Sequence, residues 1–351
     1  RTNGGLAIPG IYSLNNSINA LTAADMAQTI YTKKVDGEYA RASLGLYNMV
    51  FLEGSIRTDR SSALPKDNNR YWYPSASASF LFSEVVDAGW LSFGKIRANY
   101  AEVGNDTDPY NTTLSYEINA PFNNFPSSTN PAAFGNPDLK PERTKGVEFG
   151  LEMAMFKNRV SFDVNYYNTK TYDLITRTSG DPASGFPLYV TNVGDIRNKG
   201  IEASLRLTPI RSNDFEWNIV ANFAKNDNEL ESLNVEYYQL ANVQGGLSIG
   251  GYVGEQLGVL RGTDYVYDEN GNKVVGANGQ YLLSDPDAII GNFNPDWTGG
   301  LRNMFRYKEL TLSFLIDVQK GGDVFSLDTW YGYATGLYAN TVGLNDLGNP
   351  V

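Results

Sequence analysis

The chain contains no cysteine and no histidine. Lacking cysteine, it has no disulfide, no thiolate metal site and no thiol nucleophile. Lacking histidine, it is without the commonest general base and the commonest zinc ligand, so a Ser-His-Asp or Cys-His mechanism is excluded within it. Long apolar runs are missing too. No stretch approaches the about 18 residues that a membrane-crossing helix needs. Positive charge is in deficit, with 28 Lys and Arg against 39 Asp and Glu and a net charge of −11. That balance argues against nucleic acid as a partner, because phosphates select a basic surface. The sequence opens on Arg1 with no signal-like segment, and we expect an internal or C-terminal piece of a larger protein.

What is present is glycine (35), tyrosine (23) and phenylalanine (17) in 351 residues, a length that suits two or three soluble domains or one large barrel. The clearest pattern lies between Val147 and Tyr166. Val147, Phe149, Leu151, Met153 and Met155 point one way, against Glu148, Gly150 and Glu152. After Lys157-Asn158-Arg159 the alternation restarts, with Val160, Phe162, Val164 and Tyr166 against Ser161, Asp163 and Asn165. Period-two alternation of this length predicts two half-buried antiparallel strands. Similar patterns predict strands at 39–47, 50–58, 75–83, 92–102, 198–208, 215–226, 297–307 and 310–319. A helical turn is expected at 22–30, and Pro209 to Asp214 reads as a compact turn.

The expected fold class is all-β, a transmembrane antiparallel β-barrel with long extracellular loops near 59–74, 103–144, 176–197, 227–296 and 320–351. The connections alternate short and long, as in barrels with tight periplasmic turns and extended outer loops. Phe156, Phe215, Trp217 and Tyr307 flank the short turns, where an interfacial aromatic girdle belongs. Ten strands left open would expose unpaired edges to lipid, so further strands must complete the cylinder.

Five blocks carry a family resemblance: DRSSALPKDNNRYWYPSASASFLFSE (59–84), SFGKIRANYAEVGNDTDPY (92–110), GNPDLKPERTKGVEFGLEMAMFKNRVSFDVNYYNTKTYDLI (135–175), NVGDIRNKGIEASLRLTPI (192–210) and IIGNFNPDWTGGLRNMFRYKELTLSFLIDVQKGGDVFS (289–326). In this order they resemble the SusC/RagA branch of TonB-dependent outer-membrane transporters of Bacteroidetes. The resemblance implies that residues 1–351 are the C-terminal part of a barrel of about 22 strands. It places the N-terminal plug and first barrel half outside this sequence. It also implies import of an oligosaccharide or oligopeptide, energised by TonB-ExbB-ExbD through the N-terminal part. A SusD-like lipoprotein over the extracellular mouth and outer-membrane lipid are the other implied partners.

Two aromatic clusters are the candidate substrate contacts. Tyr71, Trp72 and Tyr73 form one; Trp330, Tyr331 and Tyr333, with Asp323 and Asp328 beside them, form the other. Aromatic faces near carboxylates suit sugar rings or peptide side chains, although girdle or loop packing explains them too. Inward charges at Glu53, Arg57, Lys95, Arg97, Glu148, Glu152, Asp163, Glu202, Arg206, Arg302 and Asp317 are expected mostly to pair across strands. Asp268-Glu269-Asn270-Gly271-Asn272 has clustered carboxylates, but Asn-Gly is a favoured hairpin turn and the calcium-loop spacing is not met. Glu148 and Glu152 lie about 13 Å apart on one strand, too wide for glycosidase chemistry. No enzyme, catalytic residue, metal or cofactor is therefore expected. The alternative to import is a surface binding or adhesion protein that uses the barrel only to display loops.

Overall fold

A computed structural model describes residues 6–11, 16, 18, 31–123, 125–344 and 348. The helical turn expected at 22–30 lies outside the described residues. Ten long strands pair in sequence order into one antiparallel sheet. They are β1 (Val35–Leu46), β2 (Val50–Ser61), β3 (Arg70–Phe80), β4 (Leu91–Asn105) and β5 (Glu142–Met155). There follow β6 (Val160–Tyr172), β7 (Gly194–Arg211), β8 (Phe215–Leu233), β9 (Pro295–Tyr307) and β10 (Leu310–Gly321). Each predicted strand is present. Most run further than their alternation foretold.

The register shows why one face is apolar. Leu151 lies opposite Val164, Val164 opposite Ala203, Ala203 opposite Phe223, and Gly299 opposite Val318. The neighbouring row on the other face runs Lys95, Glu152, Asp163, Ser204, Asn222, Gly300 and Asp317, again pair by pair. Side chains alternate between faces along each strand, so correct register separates the two chemistries along these rows. Among the described residues nothing covers the apolar face: Phe149 is 56% and Leu312 62% exposed. The fully buried residues Leu139, Val193 and Leu230 lie instead where the long connections pack onto the strand ends. The protein core sits at one end, and the sheet leaves its own apolar surface for another solvent.

The tight connections are built from left-handed residues. In the three-residue connection 47–49, Tyr47 and Asn48 have φ of 53° and 56°, the left-handed conformation of a primed turn matched to strand twist. Phe156, Lys157 and Asn158 have φ of 54°, 58° and 63°. Beside these turns Trp217 stacks on Phe305 at 5.5 Å, Phe305 on Phe314 at 6.3 Å, and Phe215 lies opposite Tyr307. The Trp217 indole N–H donates to Asn303 Oδ1 at 3.1 Å, which satisfies a buried amide on the apolar face. The expected aromatic girdle is there.

Three expectations change. The 59–74 loop shrinks to 62–69, because the β2–β3 ladder continues to Arg60 opposite Arg70. Residues 81–90, expected as a short connection, are longer than 62–69 and hold a 3₁₀ turn at Phe82–Glu84, so short and long do not alternate strictly. Pro209 does not open a turn; β7 continues to Arg211 with a register shift between Leu207 and Ile210. Proline lacks the N–H that a ladder needs, and a bulge is where a strand tolerates it.

The long connections carry their own small sheets. Ile175–Ser179 pairs with Leu188–Asn192, which in turn pairs with Ala133–Phe134. Tyr238–Val243, Leu247–Gly251, Val259–Gly262 and Ala288–Asn292 form a four-stranded sheet, as expected for that glycine-rich insertion. Asn192 ties three segments together: its side chain accepts from Lys140 N at 3.0 Å and donates to Lys140 O at 2.9 Å and Asp173 O at 2.8 Å.

Candidate functional site

The polar face of the sheet is one wall of the site. Lys95 Nζ lies 2.7 Å from Glu152, and Arg97 lies 2.7 Å from Asp163 and 3.8 Å from Glu152. Arg41 and Glu53 pair at 2.6 Å, and the Arg57 guanidinium grips both oxygens of Asp59 at 2.8 Å. The Lys95, Arg97 and Arg41 pairs fit the expectation that inward charges pair across strands, whereas Arg57 and Asp59 pair along one strand. Glu148, Glu202, Arg206, Arg302 and Asp317 form no ion pair among the described residues. A trough of about 650 Å³ runs along this wall, lined by Asp163, Glu202, Ser204, Asn222, Thr298 and Asp317 among others.

The register divides the first aromatic cluster. Tyr71 lies opposite Asp59 and Tyr73 opposite Arg57, on the polar face, whereas Trp72 lies opposite Thr58 on the apolar face. All three sit on β3 rather than in a loop, and strand alternation makes a shared site for Tyr71, Trp72 and Tyr73 on one face impossible. Tyr71 and Tyr73 rings meet at 4.9 Å. Tyr73 is buried, with its ring over Gly104, where any side chain would collide with it. Tyr71 is the member with surface to offer.

The second cluster lies on α1 (Leu327–Ala334), which Ser326 caps by accepting from Thr329 N at 3.2 Å. Trp330 and Tyr331 meet edge to face at 4.9 Å, and Tyr333 meets Tyr338 at 5.1 Å. Phe325 and Trp330 pack on Gly245, at the tip of the hairpin 243–247, and Gln244 donates to the Tyr331 hydroxyl. Tyr333 accepts from Asn340 Nδ2 at 2.9 Å. Trp330, Tyr331 and Tyr333 each keep between 39% and 51% of their surface exposed. Asp328 is exposed in the first turn. Asp323 is occupied differently: its Oδ2 accepts from Asn292 N at 2.8 Å and its own N–H donates to Asn292 O at 2.7 Å. That pairing welds the segment after β10 to the preceding loop. No hydrogen bond or ring contact joins the two clusters among the described residues.

Sequence reasoning missed a polar cavity of about 660 Å³ between loops, lined by Lys33, Asp106, Asp108, Asn111, Glu142 and Arg177 among others. Asp106 takes Lys33 and the Ser61 hydroxyl there. The acidic run Asn105-Asp106-Thr107-Asp108 was the available signal. At 268–272 the turn reading holds: Asp268 Oδ1 accepts from Asn270 N at 2.9 Å and Asn272 N at 2.8 Å, and Gly271 takes φ of 80°. Those hydrogen bonds, the Asn272 N–H foremost, hold the Asp268 carboxyl below the usual carboxylate range. Among the described residues no group of three ligating side chains converges.

A strand wall this tall, apolar outside, polar inside and girdled by aromatics, is the wall of an outer-membrane β-barrel. No helix is long and apolar enough to cross a membrane, which is no obstacle to crossing with strands. The chain belongs to the family described as "TonB dependent receptor-like, beta-barrel", whose model matches residues 7–303. It is similar to TonB-dependent receptor P26 of Formosa agariphila, 30% identical over 91% of this chain and 35% of that protein. It is also similar to TonB-dependent receptor SusC of Bacteroides thetaiotaomicron, 28% identical over 79% of this chain and 30% of that protein. Among solved structures, the RagAB peptide importer in its closed-closed state aligns with a TM-score of 0.71 at 24% identity, over 82% of this chain and 33% of that one. The chain spans about a third of the length of the curated relatives it matches. The resemblance to the SusC/RagA branch therefore stands, and with it an outer-membrane location.

Proposed function

We propose that this chain forms part of the barrel of a SusC-like importer that takes up an oligosaccharide or oligopeptide with a SusD-like lipoprotein on its extracellular mouth. The supporting observation is the polar inner wall, where Glu202 and Asp317, without an ion pair among the described residues, lie along a trough of about 650 Å³. Tyr71 at the top of the wall, and Trp330, Tyr331, Tyr333 and Asp328 on and beside α1, are the proposed cargo contacts. They offer apolar faces with hydrogen-bonding groups beside them, which suits sugar rings and peptide side chains. Asp323, Tyr73 and Trp72 act in packing and at the membrane instead. The family has a transport role, and no enzymatic step is assigned.

The test is uptake by cells that carry the full-length protein. Labelled oligopeptides and oligosaccharides are offered separately, with and without collapse of the proton gradient. Import of either class that stops when the gradient collapses supports the proposal, and the class that enters names the cargo. Binding to the cell surface with no gradient-dependent entry would refute it in favour of display.

A further inference from the structure

The polar cavity of about 660 Å³ stands where β4 and β5 leave the wall. Asn105 lies opposite Glu142, and both share the face of Lys95 and Arg97, so the cavity continues the inner wall upward. Its sides are fixed by bonds that occupy most of the polar groups. Lys33 bonds Asp106 and donates to Thr107 O at 3.2 Å, and Asp106 also accepts from the Ser61 hydroxyl. Glu142 accepts from Ile175 N at 2.7 Å and from Asn105 Nδ2 at 3.0 Å. Asn111 donates to Thr107 Oγ1 at 2.7 Å, and its carbonyl accepts from Asn136 N at 2.9 Å. Two charged lining groups stand outside this scheme. The Asp108 carboxylate and the Arg177 guanidinium form no ion pair and no side-chain hydrogen bond among the described residues, with each other or with any neighbour. Arg177 projects from the strand Ile175–Ser179, and Asp108 from the loop that follows β4.

Opposite charges that share a cavity without meeting suit a ligand that carries both signs. A neutral oligosaccharide would displace water from both groups and give neither a counter-charge, which costs binding energy. An anionic sugar satisfies Arg177 but meets Asp108 and Glu142 as like charges, and an amino sugar leaves Arg177 unmatched. A short peptide with free ends matches both. Its carboxylate suits the planar fork of a guanidinium, and its ammonium donates to a carboxylate. The volume lies within the range of about 300–1,000 Å³ typical of small-ligand pockets. Burial, with the Asp106 and Asp59 carboxylates close by, pushes the Tyr71 hydroxyl up to about 12, so it stays a neutral donor near the cavity.

We propose that this cavity holds a short peptide by its two charged ends, the carboxylate on Arg177 and the ammonium on Asp108. Such a site rests on the importer reading above and narrows the cargo of that importer to oligopeptides.

Equilibrium dialysis of the full-length protein, with any lipoprotein that co-purifies, tests this. The probes are a tripeptide mixture with free ends, the same mixture N-acetylated, the same mixture C-amidated, and maltotriose, each quantified by mass spectrometry. The wild type is expected to retain the free-ended mixture about tenfold over either blocked form, as one charge-assisted pair allows. Arg177→Gln should erase the preference over the amidated form alone, and Asp108→Asn the preference over the acetylated form alone. A merely structural role would weaken every probe together. Heat-modifiable gel mobility reports folding. Should Arg177→Gln fail to fold, Arg177→Lys carries the test and should keep about a third of the preference, because it retains the charge without the fork. A wild type indifferent to blocked ends, one that prefers maltotriose, or folded variants that lower all probes equally overturns the proposal. Gradient-driven uptake by cells decides the importer reading separately. Sugar uptake without retained peptide removes the peptide site and leaves the importer, whereas retained peptide without uptake leaves the site and removes the importer.

Discussion

Arg261 offers a quantitative test of how the extracellular cap is held. It sits on the strand Val259–Gly262 with only 6% of its side chain exposed. Its Nη1 donates to Asp287 O at 2.6 Å and lies 3.3 Å from the Asp287 carboxylate, while Nη2 bonds Glu255. The guanidinium also covers the Tyr252 ring at 4.6 Å. Glu255 accepts from Leu230 N at 2.8 Å through its own carbonyl, so the clasp reaches the end of β8. Removing one partner of a buried ion pair costs about 3–5 kcal/mol. Glu255 is 27% exposed, so water screens what remains and the lower end, about 3 kcal/mol, applies. Arg261→Ala should then open the 247–262 sheet about 150-fold more often. Hydrogen exchange on the full-length protein reads this directly, with the β6–β7 ladder as the unchanged internal reference. Arg261→Lys should recover part of the protection, because it restores the charge but not the planar fork. The pH response has a definite sign. Burial pushes the Glu255 carboxyl up, but the Arg261 hydrogen bond and the Tyr252 N–H outweigh it and hold it below the usual glutamate range. Its contribution is therefore complete above the ordinary glutamate value and lost as pH falls through the lower folded value. Wild-type opening should accelerate below about pH 4, and Arg261→Ala should flatten that response. Equal protection in wild type and Arg261→Ala would refute the reasoning.

Other perturbations separate the two faces and the cap. Leu205→Arg, on the lipid side, should lower folding stability by about 2–4 kcal/mol, whereas Ser204→Arg on the inner wall should change it by under about 1 kcal/mol; denaturant titration in liposomes checks both. Trp217→Ala removes the ring stacked on Phe305 and leaves Asn303 unpaired, with an expected loss of about 3–5 kcal/mol in the same titration. Asn192→Ala breaks three backbone hydrogen bonds at once and should raise protease cleavage near 140 and 173, by about 1–3 kcal/mol of local stability. Gly200→Ala places a Cβ 2.3 Å from Lys225 O and should cost about 1–3 kcal/mol, and an unperturbed melting curve would contradict it.

The strands were legible where lipid imposes a rule. Between Val147 and Tyr166 each second residue must be apolar, and that constraint writes itself into the sequence. Above the membrane the ladder continues without it. β2 and β3 therefore extend to Ser61 and from Arg70 through residues that read as a polar loop. Trp72 shows the same limit: the composition of Tyr71-Trp72-Tyr73 suggested one binding surface, and only the register reveals that the tryptophan faces the other way. Asp323 looked like a ligand contact because it stands beside aromatics, but its bonds to the backbone of Asn292 join segments that composition cannot relate. Pro209 marked a break correctly and its kind wrongly, since a bulge and a turn use the same residue.

The central claim is that one face of this sheet meets lipid and the other meets water. The chain has no cysteine, so single substitutions along β7 and β8 give clean probe sites in the full-length protein once any cysteine elsewhere in it has been replaced. Spin labels at residues 201 to 206 and 219 to 224, in the reconstituted protein, report oxygen access from lipid and nickel-chelate access from water. The account predicts strict period-two alternation: oxygen-accessible at Ile201, Ala203, Leu205, Ile219, Ala221 and Phe223, and chelate-accessible at Glu202, Ser204, Arg206, Val220, Asn222 and Ala224. Uniform chelate access at all of these positions, or alternation in the opposite phase, would contradict it.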